Sequence, residues 1–215
     1  FTFSEFKELF ADQALTDAEL FNTFIQLGGM PFIQHFNLER QATLQYLQDT
    51  YNTAIVKDVM EYENIRSYDL FQRVLRYVVE HVGTTFSARS LRKFLKSEGR
   101  DGSLDTVLNY LSYLEHAFII NRVPRYDVRG KQVLAVDEKY FLADQGFREA
   151  IGYSNLNDIE RILENIVHNE LLSRGYTVRI GRINDKEIDF VADKLGQKIY
   201  IQVSYLLASE STVER

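Results

Sequence analysis

Apolar residues return at intervals of three and four from Leu38 to about Glu61, at Leu44, Leu47, Tyr51, Ile55 and Val59. The spacing predicts one apolar stripe along a single long helix. Upstream, Thr16-Asp17-Ala18-Glu19 has the form of a capping box, with Thr16 as N-cap and Glu19 reaching back to it. The helix it opens should run to Leu27, where Gly28-Gly29 stops it and Pro31 forbids its resumption. Residues 1–66 thus read as a helical segment.

The rhythm changes over residues 67–143. Ser67 or Asp69 caps a helix through His81, closed by Gly83. Ser87 caps a second, ARSLRKFLKSE, closed by Gly99. Ser103 caps a third, LDTVLNYLSYLEHAF, with Leu104, Val107, Leu108, Leu111 and Leu114 turned inward. The stretch NRVPRYDVRGKQVLAVDEKYFLAD then alternates, with turn residues at Val128-Arg129-Gly130-Lys131, as a β-hairpin does. Three helices followed by a hairpin is the plan of a winged helix-turn-helix.

Over residues 144–215, Asp158 caps a helix, IERILENIVHNELLSR, that ends at Gly175. Three strands follow, YTVRIGRI, KEIDFVAD and KIYIQVSY, with turns at Asn184-Asp185 and Leu195-Gly196. The expected fold class is α+β: a helical N-terminal segment, a winged helix, and a C-terminal α/β unit that is truncated at its end. The chain holds no internal repeat and no low-complexity stretch.

Composition narrows the function classes. A chain of 215 residues forms one large domain or two small ones. With no cysteine it has neither disulfides nor thiolate metal sites, which fits a reducing, cytoplasmic setting. No apolar run approaches the ~20 residues that span a bilayer. FTFSEF is no signal peptide and lacks an initiator Met, and the chain stops abruptly at Val213-Glu214-Arg215, so it reads as a fragment of a longer protein.

The net charge of -6 leaves room only for a local nucleic-acid footprint. From Thr85 to Lys131, nine basic residues face five acids, so this segment carries +4 and the rest of the chain -10. Arg89, Arg92 and Lys93 on the second helix of this region, and Arg125, Arg129 and Lys131 on the hairpin, are the residues that could track a DNA backbone. The third helix argues against base readout. Its outward positions include Asp105, Thr106, Asn109, Tyr110 and Tyr113, and only Asn109 is of a type that commonly reads base edges. A winged helix used for packing or protein contact would show the same solvated basic faces.

The C-terminal region carries candidate chemistry. Glu164 lies on the helix, Asp189 on the middle strand and Gln202 on the third. A nuclease of the PD-(D/E)XK kind holds Mg²⁺ with carboxylates, and the ion activates water and stabilises charge on the phosphate. Glu164 and Asp189 could be such metal ligands. Gln202 offers a neutral carbonyl where a third acid belongs, and Ser204 a hydroxyl where a lysine belongs. Alternation places Tyr200, Gln202 and Ser204 on one face, with Ile199, Ile201 and Val203 toward the core. The plainer reading is two polar residues on a half-exposed layer. His35, His81, His116 and His168 are scattered, although His168 follows Glu164 by four residues on the same helix face. No phosphate-binding P-loop is present in the sequence.

Taken in order, FTFSEF with LGGMP, YNTAIVKDV, DTVLNYLSYLEHAFIINRVPRYD, KYFLAD, LENIVHNELLSRGY and NDKEIDFVADKLGQKIYIQVSY resemble the C-terminal half of a family of prokaryotic AAA-type ATPases with an uncharacterised C-terminal domain. The resemblance spans nearly the whole chain. It implies an ATPase domain before Phe1, which binds ATP in the full-length protein and is a partner of this segment. It also implies a winged helix joined to a PD-(D/E)XK-like fold. By position, Glu164 matches the helix acid of that fold, Asp189 the central acid, Gln202 the acid of the ExK signature and Ser204 its lysine. The last two depart from the signature. The expectation is a DNA- or partner-binding module with a depleted catalytic site, needing no cofactor and holding Mg²⁺ weakly if at all. The alternatives are an active Mg²⁺-dependent DNase, and a docking or homo-oligomerisation module that never meets nucleic acid. No membrane partner is expected.

Overall fold

The structure is a computed structural model that describes residues 1–184 and 186–205. Of the sequence expectations, the turn residue Asp185, the C-terminal Val213-Glu214-Arg215 and the side chain of Ile55 lie outside what it describes.

Two capping boxes open the chain. Thr2 and Glu5 start α1 (Phe3–Leu9), and Thr16 and Glu19 start α2 (Asp17–Leu27). In each, a threonine oxygen accepts from the backbone N–H three residues on, and the glutamate returns the bond. Gly28 stops α2 as expected, but Pro31 does not end helical structure. It begins a 3-10 turn over Pro31–Phe36, where its missing N–H costs nothing at the first helical position. The expected long helix runs as α3 (Arg40–Thr50), a π-helical stretch (Tyr51–Asp58) and α4 (Val59–Tyr62). The π stretch lengthens the repeat by one residue, so Val56 follows Tyr51 into the core and Val59 follows it.

Next come α5 (Tyr68–Glu80), β1 (Thr85–Phe86), α6 (Ala88–Ser97) and α7 (Leu104–His116), the last two capped by Ser87 and Ser103. The buried stripe of α7 is Val107, Tyr110, Leu111 and Leu114. Two expectations are corrected here. Tyr110 is buried because its ring packs edge-on against Phe71, with centroids 5.4 Å apart, and Leu108 is 48% exposed on the opposite side. The hairpin is β2 (Ile120–Asp127) and β3 (Gln132–Leu142). Its register slips between Val123 and Arg125, at Pro124, which has no N–H for the ladder. Asp127 closes the turn by accepting the Arg129 N–H at 3.0 Å.

The C-terminal part is α8 (Gly146–Ala150), α9 (Ile159–Ser173), β4 (Thr177–Ile183), β5 (Lys186–Lys194) and β6 (Gln197–Ile201). Among the described residues all strands form one mixed sheet, ordered β1-β3-β2-β4-β5-β6. Its parallel pair is β2 with β4, in register Arg125↔Ile180, and it joins the hairpin to the C-terminal strands. One core runs from Ile25 to Ala192 across that junction, and a smaller aromatic cluster of Phe6, Phe10, Phe24 and neighbours sits under α1 and α2. The fold is therefore mixed α+β around a mixed sheet.

β6 departs from expectation. It is paired on one side only among the described residues, and it stops at Ile201, so Gln202 and Ser204 lie beyond it. Ile199, expected in the core, is 40% exposed, because no described layer covers that end of the strand.

Candidate functional site

The sheet brings four elements to one point. Lys139 lies on β3, Arg125 on β2, Glu187 and Asp189 on β5, and Glu164 on α9, which packs against β3, β4 and β5. Lys139 Nζ is 2.8 Å from Glu164 Oε2 and 2.8 Å from Glu187 Oε1. The second Glu187 oxygen accepts from Arg125 at 2.9 Å. Asp189 is buried beside them. Its Oδ2 accepts the Val203 N–H at 2.7 Å, and its carboxylate is also hydrogen-bonded by the Gln202 side chain. Glu164, Asp189 and Gln202 thus come together, around a lysine from another strand.

Electrostatics divide the three acids. Burial pushes the Glu164 pKa up, and although Lys139 counters this, the like charges of Asp189 and Glu187 keep it above the ordinary value. Asp189 is likewise raised by burial, against the opposing pull of the Val203 N–H and Lys139. Glu187 is held below its usual value despite burial, because it touches both Lys139 and Arg125. Burial alone would lower Lys139, but Glu164 and Glu187 outweigh it and hold the ammonium charged.

A Mg²⁺ ion held by Glu164 and Asp189, as the PD-(D/E)XK resemblance implies, does not fit the site in this arrangement. The cation beside Glu164 is already the Lys139 ammonium, 5% exposed and bonded to two carboxylates. Among the described residues, no group of three or more histidine or acidic side chains is placed to hold a metal ion.

Sequence reasoning missed Lys139 and Glu187. A signal for Lys139 was present: a lone cation beside the apolar run of Tyr140, Phe141 and Leu142 must find a buried anion or leave the strand. Nothing local singles out Glu187, whose neighbour Lys186 is equally charged. His168 does not join the cluster by any hydrogen bond among the described residues. It is buried, stacked on Phe141 at 4.5 Å, with Nδ1 3.1 Å from Asn169 Oδ1, and burial lowers its pKa to about 4.

The six expected phosphate-facing residues divide. Arg125 is inside the carboxylate cluster, with its side chain 16% exposed. Arg89, Arg92 and Lys93 on α6, and Arg129 and Lys131 at the hairpin turn, are exposed. Arg92 also donates to the Gly102 carbonyl at 3.0 Å. Arg89 lines an open depression of about 750 Å³ between α6, α7 and the sheet, where Arg122 faces Glu115 and Glu138 at 3.5 and 3.6 Å.

Fold and site define, among the described residues, an α+β protein with a mixed six-stranded sheet and a partly buried cluster of three carboxylates and two cations. The chain belongs to the family described as "Domain of unknown function (DUF8612)", which matches residues 18–160. That match takes in Arg125 and Lys139 and ends before Glu164. An uncharacterised protein of Haemophilus influenzae is 32% identical over 208 residues, covering 95% of this chain and 51% of its own length. An uncharacterised protein of Methanocaldococcus jannaschii is 26% identical over 200 residues, covering 90% of this chain and 43% of its own. The chain therefore spans about half the length of these curated relatives. No solved structure matches it. Among the described residues, no helix is long and apolar enough to cross a membrane.

Proposed function

We propose that this chain is a non-catalytic binding module: a winged helix joined to a PD-(D/E)XK nuclease-like unit whose metal position is taken by Lys139, working beside an AAA-type ATPase domain of a longer protein. The observation that carries the non-catalytic part is the Lys139 ammonium, 2.8 Å from both Glu164 and Glu187. A divalent ion on Glu164 would have to break the Lys139–Glu164 pair and crowd a second cation against the buried ammonium, which costs several kcal/mol. Gln202 and Ser204 support the same reading, since neither restores the charge that the signature requires.

The contact surface for DNA is α6 with the hairpin turn. Arg89, Lys93, Arg129 and Lys131 are exposed there, whereas α7 offers no cation for base readout. Binding should therefore be indifferent to sequence, independent of Mg²⁺ and steeply weakened by salt. The test is fluorescence anisotropy with two unrelated duplexes across a salt series, with and without Mg²⁺. Changing Arg89, Lys93, Arg129 and Lys131 to Ala should shrink the log-log salt slope by up to ~0.9 per lost phosphate contact. No binding by the unmodified chain at low salt would remove DNA from the reading and leave protein docking.

A second reading, an active DNase, is favoured by the same residue. Lys139 places near the acids a cation that Ser204 does not supply. Metal-dependent cleavage by the unmodified chain, abolished by Lys139→Ala and by Asp189→Ala in folded variants, would establish it over the first.

A further inference from the structure

An open apolar depression of about 390 Å³ lies where two helices end side by side. Val59 and Tyr62 of α4 and Tyr113 and Ala117 at the end of α7 line it, flanked by Asp58, Glu63 and His116. Three independent features of its wall suit one kind of occupant. Asp58 and Glu63 make no ion pair among those found for the described residues, and no lysine or arginine lines the depression. The helical run Arg40–Tyr62 and α7 both finish here, with Glu63 and Ala117 as their C-caps, so both turn the negative end of a helix dipole toward it. Tyr62 is 84% exposed, and Tyr113 lies opposite on α7, so two aromatic rings border the space. Apolar floor, aromatic walls and a negative rim fit the aliphatic stem and charged head of an arginine or lysine.

We propose that this depression is a docking site for a basic peptide segment of a partner protein, which inserts an arginine or lysine between Tyr62 and Tyr113 against Asp58 and Glu63. The site is separate from the carboxylate cluster and from the cationic face of α6, and it does not depend on DNA binding. Arg66 lines a neighbouring hollow shared with Glu63 and Tyr113, and exposed Lys57 adjoins Asp58 in the chain, but neither lines the depression. The occupant is a partner segment of opposite charge, because the surface offers negative charge and aromatic faces together, with no lysine or arginine lining the depression.

The test uses fluorescein-labelled twelve-residue peptides of alternating Arg-Leu and alternating Glu-Leu, titrated by anisotropy at low salt. The Arg-Leu peptide should bind the unmodified chain, and the Glu-Leu peptide should not. Asp58→Asn with Glu63→Gln should weaken binding about tenfold, as expected for losing two charge contacts. Tyr62→Ala should weaken it severalfold without any change in charge. A control with the same net charge, Glu8→Gln with Asp12→Asn, should remain within about twofold, because both residues are exposed and distant in sequence from the depression. Equal loss in the control and the site variant would show general attraction to an acidic protein and overturn the proposal. So would full binding by Tyr62→Ala, or no binding by the unmodified chain. Concentration-dependent self-association in sedimentation, abolished by Asp58→Asn with Glu63→Gln while the peptide fails to bind, would replace the partner segment by a second copy.

Discussion

At the scale of single residues, the buried charges decide what the molecule can do. Lys139 and Arg125 together offer two positive charges to three carboxylates, and Glu164 and Asp189 are held above their usual pKa values, chiefly by burial and further by the like charges around them. His168 is a separate titration. Its pKa falls from 6.5 to about 4 because burial against Phe141 penalises the imidazolium. A lowered histidine pKa means that the unfolded chain binds the proton more readily. Its contribution is then fully present above pH 6.5 and is lost as the pH falls from there toward about 4. Thermal or urea unfolding of the unmodified chain and of His168→Leu, compared at pH 7.5 and 4.5, should show the difference between them shift by about 2–3 kcal/mol in favour of the variant at low pH. A difference that does not move with pH would mean that His168 is solvated or already paired when charged.

At the scale of elements, close approach of backbone explains positions that capping alone does not. Gly28 was legible as a helix stop, but the structure gives it a second task. Its φ of 74° and ψ of -164° belong to a region that essentially only glycine occupies, and a Cβ there would lie 1.9 Å from Asp144 Oδ1. Asp144 is fully buried and accepts from the Gly29 and Gly146 N–H groups, each at 2.8 Å, so α2 is fastened to the start of α8. Gln145 and Asn155 add bonds to the carbonyls of Phe24 and Ile25 at 2.8 and 2.9 Å. Gly28→Ala should therefore cost at least about 2 kcal/mol through backbone strain and displacement of Asp144. Thr16→Ala, which removes only a cap, should cost about 1 kcal/mol. Chemical denaturation checks the order. A Gly28→Ala cost no larger than that of Thr16→Ala would show that the Asp144 contact yields without strain.

The helices were the legible part of the sequence because their signals are local. Thr16, Ser87 and Ser103 announce α2, α6 and α7 within four residues, and the hairpin declares itself through Gly130 and alternation. The Thr2-Glu5 box is an equally local signal. The π stretch was not legible, since it changes the phase of one stripe without changing its composition. Nor could any local signal place Lys139 against Glu164, 25 residues away, or the LGGMP stretch against Asp144. Such pairs exist only once the sheet order is known, and that order depends on β2 choosing β4 as a parallel neighbour. The candidate acids were legible as residue types at suitable spacing. Their neutralisation by a lysine from another strand was not.

At the scale of the whole molecule, the parallel β2–β4 pair carries the sheet past residue 143, and one apolar core lies on both sides of that point. Residues 67–143 and the strands that follow should then unfold together. Calorimetric and van't Hoff enthalpies should agree, and tyrosine fluorescence and far-ultraviolet circular dichroism should share a midpoint. Two resolved transitions would mean that the β2–β4 seam is a weak joint between separate folding units.

The cation in the carboxylate cluster is the hinge of the functional proposal, and calorimetric titration with Mn²⁺ addresses it most directly. The unmodified chain should show no stoichiometric binding, because Lys139 already bridges Glu164 and Glu187. Lys139→Met keeps the aliphatic stem and removes the charge that opposes a second cation beside Glu164 and Asp189, so any uptake of Mn²⁺, with a rise in melting temperature in its presence, should appear in this variant alone. Binding of one Mn²⁺ by the unmodified chain, lost in a folded Asp189→Asn variant, would contradict the proposal and return the site to the metal-dependent nucleases.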